Sequence, residues 1–179
     1  NSRSSAMMDG FYRYNPLGAG LNYNHTFGSV HDLAVRLFYN HSSETVPGDN
    51  PDYKYQGLAM RAQYGFNKRY YAEVTASYQG SSNYRSGKRT GFFPAVGLAW
   101  VASDEKWLQS AEAIDFLKFR VSYGVNGNDQ TGGRRFPYRQ EFTSSGGYAF
   151  GNPNGSTDGS QEGVLANPDE TWEKSYKFN

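Results

Sequence analysis

The sequence predicts an all-β protein, an antiparallel up-and-down transmembrane β-barrel. Three observations predict it. Apolar and polar residues alternate with period two through successive stretches, and only a strand puts two such sets on opposite faces. Tyrosine or tryptophan repeatedly ends the apolar face, at Tyr23, Tyr39, Tyr78, Trp100 and Tyr123. Membrane barrels flank their apolar band with aromatic girdles in this way. Finally, the connections alternate between short and long, as the two ends of an up-and-down barrel do.

Residues 1–16 have no period and read as a lead-in loop. Leu17, Ala19, Leu21 and Tyr23 then alternate with Gly18, Gly20, Asn22 and Asn24. A short connection over His25 to Asp32 follows. Leu33, Val35, Leu37 and Tyr39 face away from Ala34, Arg36, Phe38 and Asn40. His41 to Lys54 contains Pro47, Gly48, Asp49, Asn50 and Pro51, a loop signal. Tyr55 to Phe66 sets Leu58, Met60, Ala62, Tyr64 and Phe66 against Gly57, Ala59, Arg61, Gln63 and Gly65. A tight turn at Asn67, Lys68 and Arg69 leads into the clearest strand, Tyr70 to Gln79.

That strand sets Tyr70, Ala72, Val74, Ala76 and Tyr78 against Tyr71, Glu73, Thr75, Ser77 and Gln79. At about 3.3 Å per residue and a tilt of about 40° it crosses roughly 20 Å, near the height of a barrel's apolar band. A polar loop, Gly80 to Gly91, joins it to a strand at about Phe93 to Val101. There Val96, Leu98 and Trp100 oppose Ala95, Gly97 and Ala99. Ser103 to Ala113 predicts a short helix, with Ser103 as N-cap and acids in the first turn. Leu117, Phe119, Val121 and Tyr123 alternate with Lys118, Arg120, Ser122 and Gly124. Residues 125–168 form a long Gly/Asn/Ser/Asp-rich loop, and residues 169–179 begin a further strand with Trp172, Tyr176 and Phe178 on one face. The main strand-bearing region is therefore 17–124.

Composition agrees. The chain has 179 residues, a net charge of +1, 15 Tyr, 12 Phe, 21 Gly and no Cys. The charge balance gives no support to nucleic-acid binding, and the lack of cysteine excludes disulfides and thiol chemistry. A mean hydropathy of −0.78 fits a barrel or a soluble β-protein equally, because alternation keeps the average low. A soluble β-sandwich, such as a lectin-like carbohydrate-binding module, is the competing reading. The membrane is favoured by the aromatic strand ends and by a second face that mixes Arg36, Arg61, Glu73, Lys118 and Arg120 with small residues.

Several runs resemble one family. GKRTGFFPAVGLAWVASDEKWL (Gly87 to Leu108), DFLKFRVSYGVNGND (Asp115 to Asp129) and NPDETWEKSYKFN (Asn167 to Asn179) are similar to the barrel of SusC/RagA-type TonB-dependent transporters. So are FGSVHDL (Phe27 to Leu33), NKRYYAEV (Asn67 to Val74) and YQGSSNY (Tyr78 to Tyr84). The resemblance covers nearly all of the chain beyond Pro16. It implies a closed barrel of about 22 strands in the outer membrane of a Gram-negative bacterium. It also implies an N-terminal plug, coupling to a TonB system, a SusD-like surface lipoprotein and a glycan or oligopeptide substrate. This chain, with about seven strands and neither plug nor TonB box, then looks like an internal segment of a longer protein.

No enzymatic constellation emerges. His25, His31 and His41 lie at strand ends or in connections, without the convergent partners a metal or catalytic site needs. GNDQTGGR (Gly127 to Arg134) lacks the Lys-Ser/Thr of a phosphate loop. Asn126, Asn128, Asp129 and Asp158 are oxygen donors, but turn chemistry explains them more simply than calcium. No cofactor is expected. The candidate substrate-binding residues lie in the outer loops: Tyr84, Arg85, Arg134, Arg135, Tyr148 and Phe150. Aromatic faces stack on sugar rings, and guanidinium forks bond hydroxyls and carboxylates. The simpler reading of all six is loop packing or contact with a lid.

Overall fold

Seven strands form one antiparallel sheet in the computed structural model, which describes residues 13–45, 51–108, 115–130, 134–149 and 156–179. They are β1 (Arg13–Phe27), β2 (His31–Thr45), β3 (Tyr53–Phe66), β4 (Tyr70–Ser81), β5 (Thr90–Val101), β6 (Lys118–Asn128) and β9 (Glu173–Phe178). Each of β1 to β5 pairs with the next in sequence, and β6 pairs with β9. Between these two, β7 (Phe142–Ala149) and β8 (Ser156–Glu162) make a separate hairpin. The fold is the all-β, antiparallel up-and-down arrangement that alternation predicts.

The register aligns the predicted faces within the seven strands. One row across the sheet reads Tyr23, Val35, Ala62, Val74, Val96, Tyr123 and Phe178. The adjacent row, on the opposite face, reads Asn22, Arg36, Arg61, Thr75, Ala95, Gly124 and Lys177. A one-residue slip in any strand would send its apolar set to the charged side. The apolar face carries no second layer among the described residues: Leu21 is 73% exposed and Leu98 60%. In a soluble half-buried sheet that face would be the covered one. The buried aromatic residues lie elsewhere, at the long-loop end, where Tyr84, Phe93 and Trp172 pack together.

At the opposite end the turns are tight. Gly28 and Ser29 have φ of +54° and +61°, and Asn67 and Lys68 have +52° and +57°. Two successive left-handed residues match the right-handed twist of the flanking strands. The Asn67 N–H donates to the Val30 carbonyl at 2.7 Å, tying one turn to the next. Beside them Glu105 accepts from the Tyr70 hydroxyl at 2.6 Å and the Trp100 indole at 3.3 Å, and pairs with Arg69 at 3.4 Å. The Tyr70 hydrogen bond, then that of Trp100, holds this carboxyl below the usual carboxylate range. His31 Nδ1 lies 2.6 Å from the Tyr64 hydroxyl, and His25 packs edge-on to Phe27, so both histidines sit among aromatic rings at this end.

Some boundaries differ from expectation. The connection expected over His25 to Asp32 shrinks to Gly28–Val30, because Phe27 pairs with His31 and Thr26 with Asp32. The strand expected to begin at Leu17 begins at Arg13, paired with Thr45. The helix expected over Ser103 to Ala113 is a single 3-10 turn, Ala102–Asp104, within the described part of that stretch. Its N-cap is Val101, without a side-chain cap bond, because the Ala102 and Ser103 N–H groups both donate to the Leu117 carbonyl. Residues 109–114 lie outside the described residues. Within 125–168, β6 continues to Asn128 and the β7–β8 hairpin follows.

Candidate functional site

The connection between β4 and β5, residues 82–89, is polar and rich in turn residues, yet it carries the most buried aromatic residue. Tyr84 is 0% exposed and packs against Trp172, ring centroids 5.8 Å apart. Phe93 lies 5.2 Å from the same indole, and the Trp172 Nε1–H donates to the Arg89 carbonyl at 3.0 Å. Arg89 Nε in turn donates to the Tyr84 carbonyl at 3.0 Å. Lys88 pairs with Asp169 at 2.7 Å. That hydrogen bond, with the ammonium charge, holds the Asp169 carboxyl below its usual range. Trp172, expected on the apolar face with Tyr176 and Phe178, is 5% exposed inside this cluster. It precedes β9, so strand alternation does not govern its side chain.

The pairing of β5 with β6 runs only as far as Ala95 and Gly124. Beyond it the Phe93 ring lies against Gly91 and Gly127, where an added Cβ would collide with it. Gly127→Ala is therefore expected to displace Phe93 and cost about 1–3 kcal/mol, as overpacking does. The drop should appear as a lower thermal midpoint of the folded full-length protein, and an unchanged midpoint counts against this packing.

The segment after β6 is tied to several neighbours. The Tyr53 hydroxyl donates to Asp129 Oδ2. Asn83 Nδ2 donates to the Asp129 carbonyl at 2.7 Å, and Asn83 Oδ1 accepts from the Phe136 N–H at 2.6 Å. Arg135 Nη2 donates to both Glu44 oxygens at 2.9 and 2.8 Å, with the guanidinium 5.3 Å from the Tyr53 ring centroid. Arg134 donates to the carbonyls of Arg139, Val164 and Leu165 at 3.0–3.3 Å and pairs with Glu141 at 3.3 Å.

The candidate residues thus differ in what surrounds them. Tyr84 is a packing residue with no exposed face. Arg134 is engaged on carbonyls and on Glu141, and Arg135 on the Glu44 carboxylate through Nη2. Arg85 is exposed at the loop surface. Tyr148 belongs to β7, opposite Thr157, and Phe150 lies outside the described residues. Of the oxygen donors, Asp129 accepts from Tyr53, and Asn128 Nδ2 donates to Glu173 at 3.2 Å. Sequence reasoning missed Asn83, Phe136 and Glu44. They meet partners 46 to 91 positions away, and no spacing rule announces such contacts.

The charged face forms a concave trough below this cluster. Arg61 pairs with Glu73 at 2.7 Å, and Gln63 donates to the same carboxylate at 2.7 Å. Ala95, Gly97, Ser122 and Gly124 keep the middle of the trough smooth, with Arg120 and Lys177 among its lining. This wall can accept a polar surface or water.

No family model matches the chain. Curated relatives do. It is 27% identical over 172 residues to TonB-dependent receptor P39 of Formosa agariphila, covering 94% of this chain and 15% of that protein. It is 30% identical over 122 residues to TonB-dependent receptor SusC of Bacteroides thetaiotaomicron, covering 66% of this chain and 12% of that protein. Among solved structures, the RagAB peptide transporter superposes with a TM-score of 0.74 at 22% identity, over 93% of this chain and 21% of that chain. The resemblance to SusC/RagA-type TonB-dependent transporters read from the sequence is borne out by these names, and the sheet matches the RagAB barrel in fold.

Proposed function

We propose that this chain is a stretch of barrel wall, with its outer loops, from a SusC/RagA-type TonB-dependent transporter of a Gram-negative outer membrane. The observation that carries this reading is the seven-strand register, which gathers the apolar residues of the strands on one face left uncovered among the described residues. Lipid is the natural cover for such a face. The chain spans only about an eighth to a seventh of the two curated relatives named above. Its role is thus a passive, non-enzymatic share of the whole. The apolar face meets lipid, the charged trough faces the lumen, and the loop cluster borders an external vestibule.

A glycan or oligopeptide is the imported nutrient in this reading. A SusD-like lipoprotein sits at the loop end, and energy arrives through a TonB system from another part of the polypeptide. Arg85, Tyr148 and Phe150 are the outer-loop residues proposed to touch substrate, and Arg134 and Arg135 brace the segment after β6. The soluble carbohydrate-binding sandwich is not favoured, since its second sheet is missing from the apolar face among the described residues.

The test is accessibility. Single cysteines at Val74, Leu98 and Val121 in the full-length protein should resist aqueous maleimide and react with a lipid-confined probe. Thr75→Cys should label from water. Aqueous labelling of Val74→Cys with protection of Thr75→Cys would invert the faces and end the barrel reading.

A further inference from the structure

Phe136 holds a backbone conformation that bulky residues rarely adopt. Its φ is +54°, and its ring is 3% exposed. In the left-handed region Cβ crowds the following carbonyl oxygen, so such a residue persists only when its surroundings hold it. The Phe136 carbonyl accepts from the Arg139 N–H at 2.9 Å, and its N–H is held by one side chain. The Phe136 N–H donates to Asn83 Oδ1 at 2.6 Å, while Asn83 Nδ2 donates to the Asp129 carbonyl at 2.7 Å. Asn83 is 2% exposed, and its own N–H donates to Ser81 Oγ at 3.1 Å. A single amide from the β4–β5 connection therefore spans both ends of residues 129–136.

We propose that Asn83 is a latch, a positioning residue that holds Phe136 in its strained conformation and so fixes residues 134–141 over the outer end of the sheet. Arg134 carries the constraint onward through the carbonyls of Val164 and Leu165, beside the base of the β7–β8 hairpin. When both Asn83 bonds are lost, Phe136 relaxes to negative φ and the segment leaves its place, taking Arg134 and Arg135 with it. The latch rests on geometry alone. Its service to substrate capture rests on the transporter reading.

Hydrogen exchange on the folded full-length protein in detergent tests it. In Asn83→Ala the amides of residues 134–141 should exchange at least about tenfold faster, as expected for two lost buried hydrogen bonds, while β3 and β4 stay protected. Unchanged exchange in 134–141 overturns the latch. A second comparison isolates the strain. Phe136→Gly and Phe136→Ala both lack the ring, but glycine takes positive φ freely. In the Asn83→Ala background the glycine variant should therefore exchange about five- to thirtyfold more slowly than the alanine variant. Equal rates overturn the strain. Should Asn83→Ala fail to assemble, the same pair compared with Asn83 intact separates the two outcomes in the same way. Barrel formation is scored on these samples by heat-modifiable gel migration. Failure of the transporter reading thus registers separately from failure of the latch.

Discussion

Trp172→Ala is expected to lower the stability of the outer loop cluster by about 3–5 kcal/mol, the usual loss for a buried large aromatic residue. The indole touches rings from three separate parts of the chain, Tyr55, Tyr84 and Phe93, and caps the Arg89 carbonyl. Truncation leaves a cavity among residues that are already positioned by backbone. It also leaves a part-buried carbonyl without its donor, a further penalty. The effect should read as loss of hydrogen-exchange protection at residues 82–89 and 163–172, with β1 and β2 unaffected. Trp172→Phe should recover part of it, because the ring returns without the N–H. Protection equal to that of the parent in Trp172→Ala would show that the cluster is held by its polar ties alone.

The second large effect concerns the apolar face. Arginine at Val74, Leu98 or Val121 should cost about 2–4 kcal/mol in a bilayer, the known midplane penalty of a lipid-facing charge. All three residues are exposed on the sheet and are flanked by apolar neighbours in register. Thr75→Asn and Ser122→Asn, on the trough face, should stay within about 1 kcal/mol, as solvated substitutions do. Reversible denaturant unfolding in lipid vesicles measures both sets. Equal costs on the two faces would remove the case for lipid on either one.

The difference between these faces was legible in the sequence because period two is a local property. Leu58, Met60, Ala62 and Tyr64 declare their face without knowledge of any partner. Strand ends were less legible. His25, Thr26, His31 and Asp32 look like connection residues, yet they pair across a turn of three. Polar and aromatic residues there suit an interface, which is neither core nor loop. The outer cluster was least legible. Tyr84, Arg134 and Arg135 were singled out for what their side chains can bind, and burial and internal bonds engage all three. Those bonds join Arg135 to Glu44 and Asn83 to Phe136, pairs whose separation leaves no periodic trace. Phe93 was placed on its strand but not recognised as a packing residue, because its neighbours Gly91 and Gly127 become informative only once the backbones approach.

The hairpin of β7 and β8 also bears on how the chain reaches this fold. Strands β1 to β6 each pair with a sequence neighbour, and contacts of low sequence separation are the fast kind to form. The β6–β9 pairing must instead close over the whole stretch between Asn128 and Glu173. Within that stretch Phe142 pairs with Glu162, and the Gly163 N–H donates to the Glu141 carbonyl. The hairpin thereby removes about half of the intervening chain from the search. Halving a loop saves about 0.6 kcal/mol of closure entropy. The insertion thus acts as a clip that shortens the longest loop closed within the sheet, and weakening the hairpin should delay docking of β9 more than that of any earlier strand.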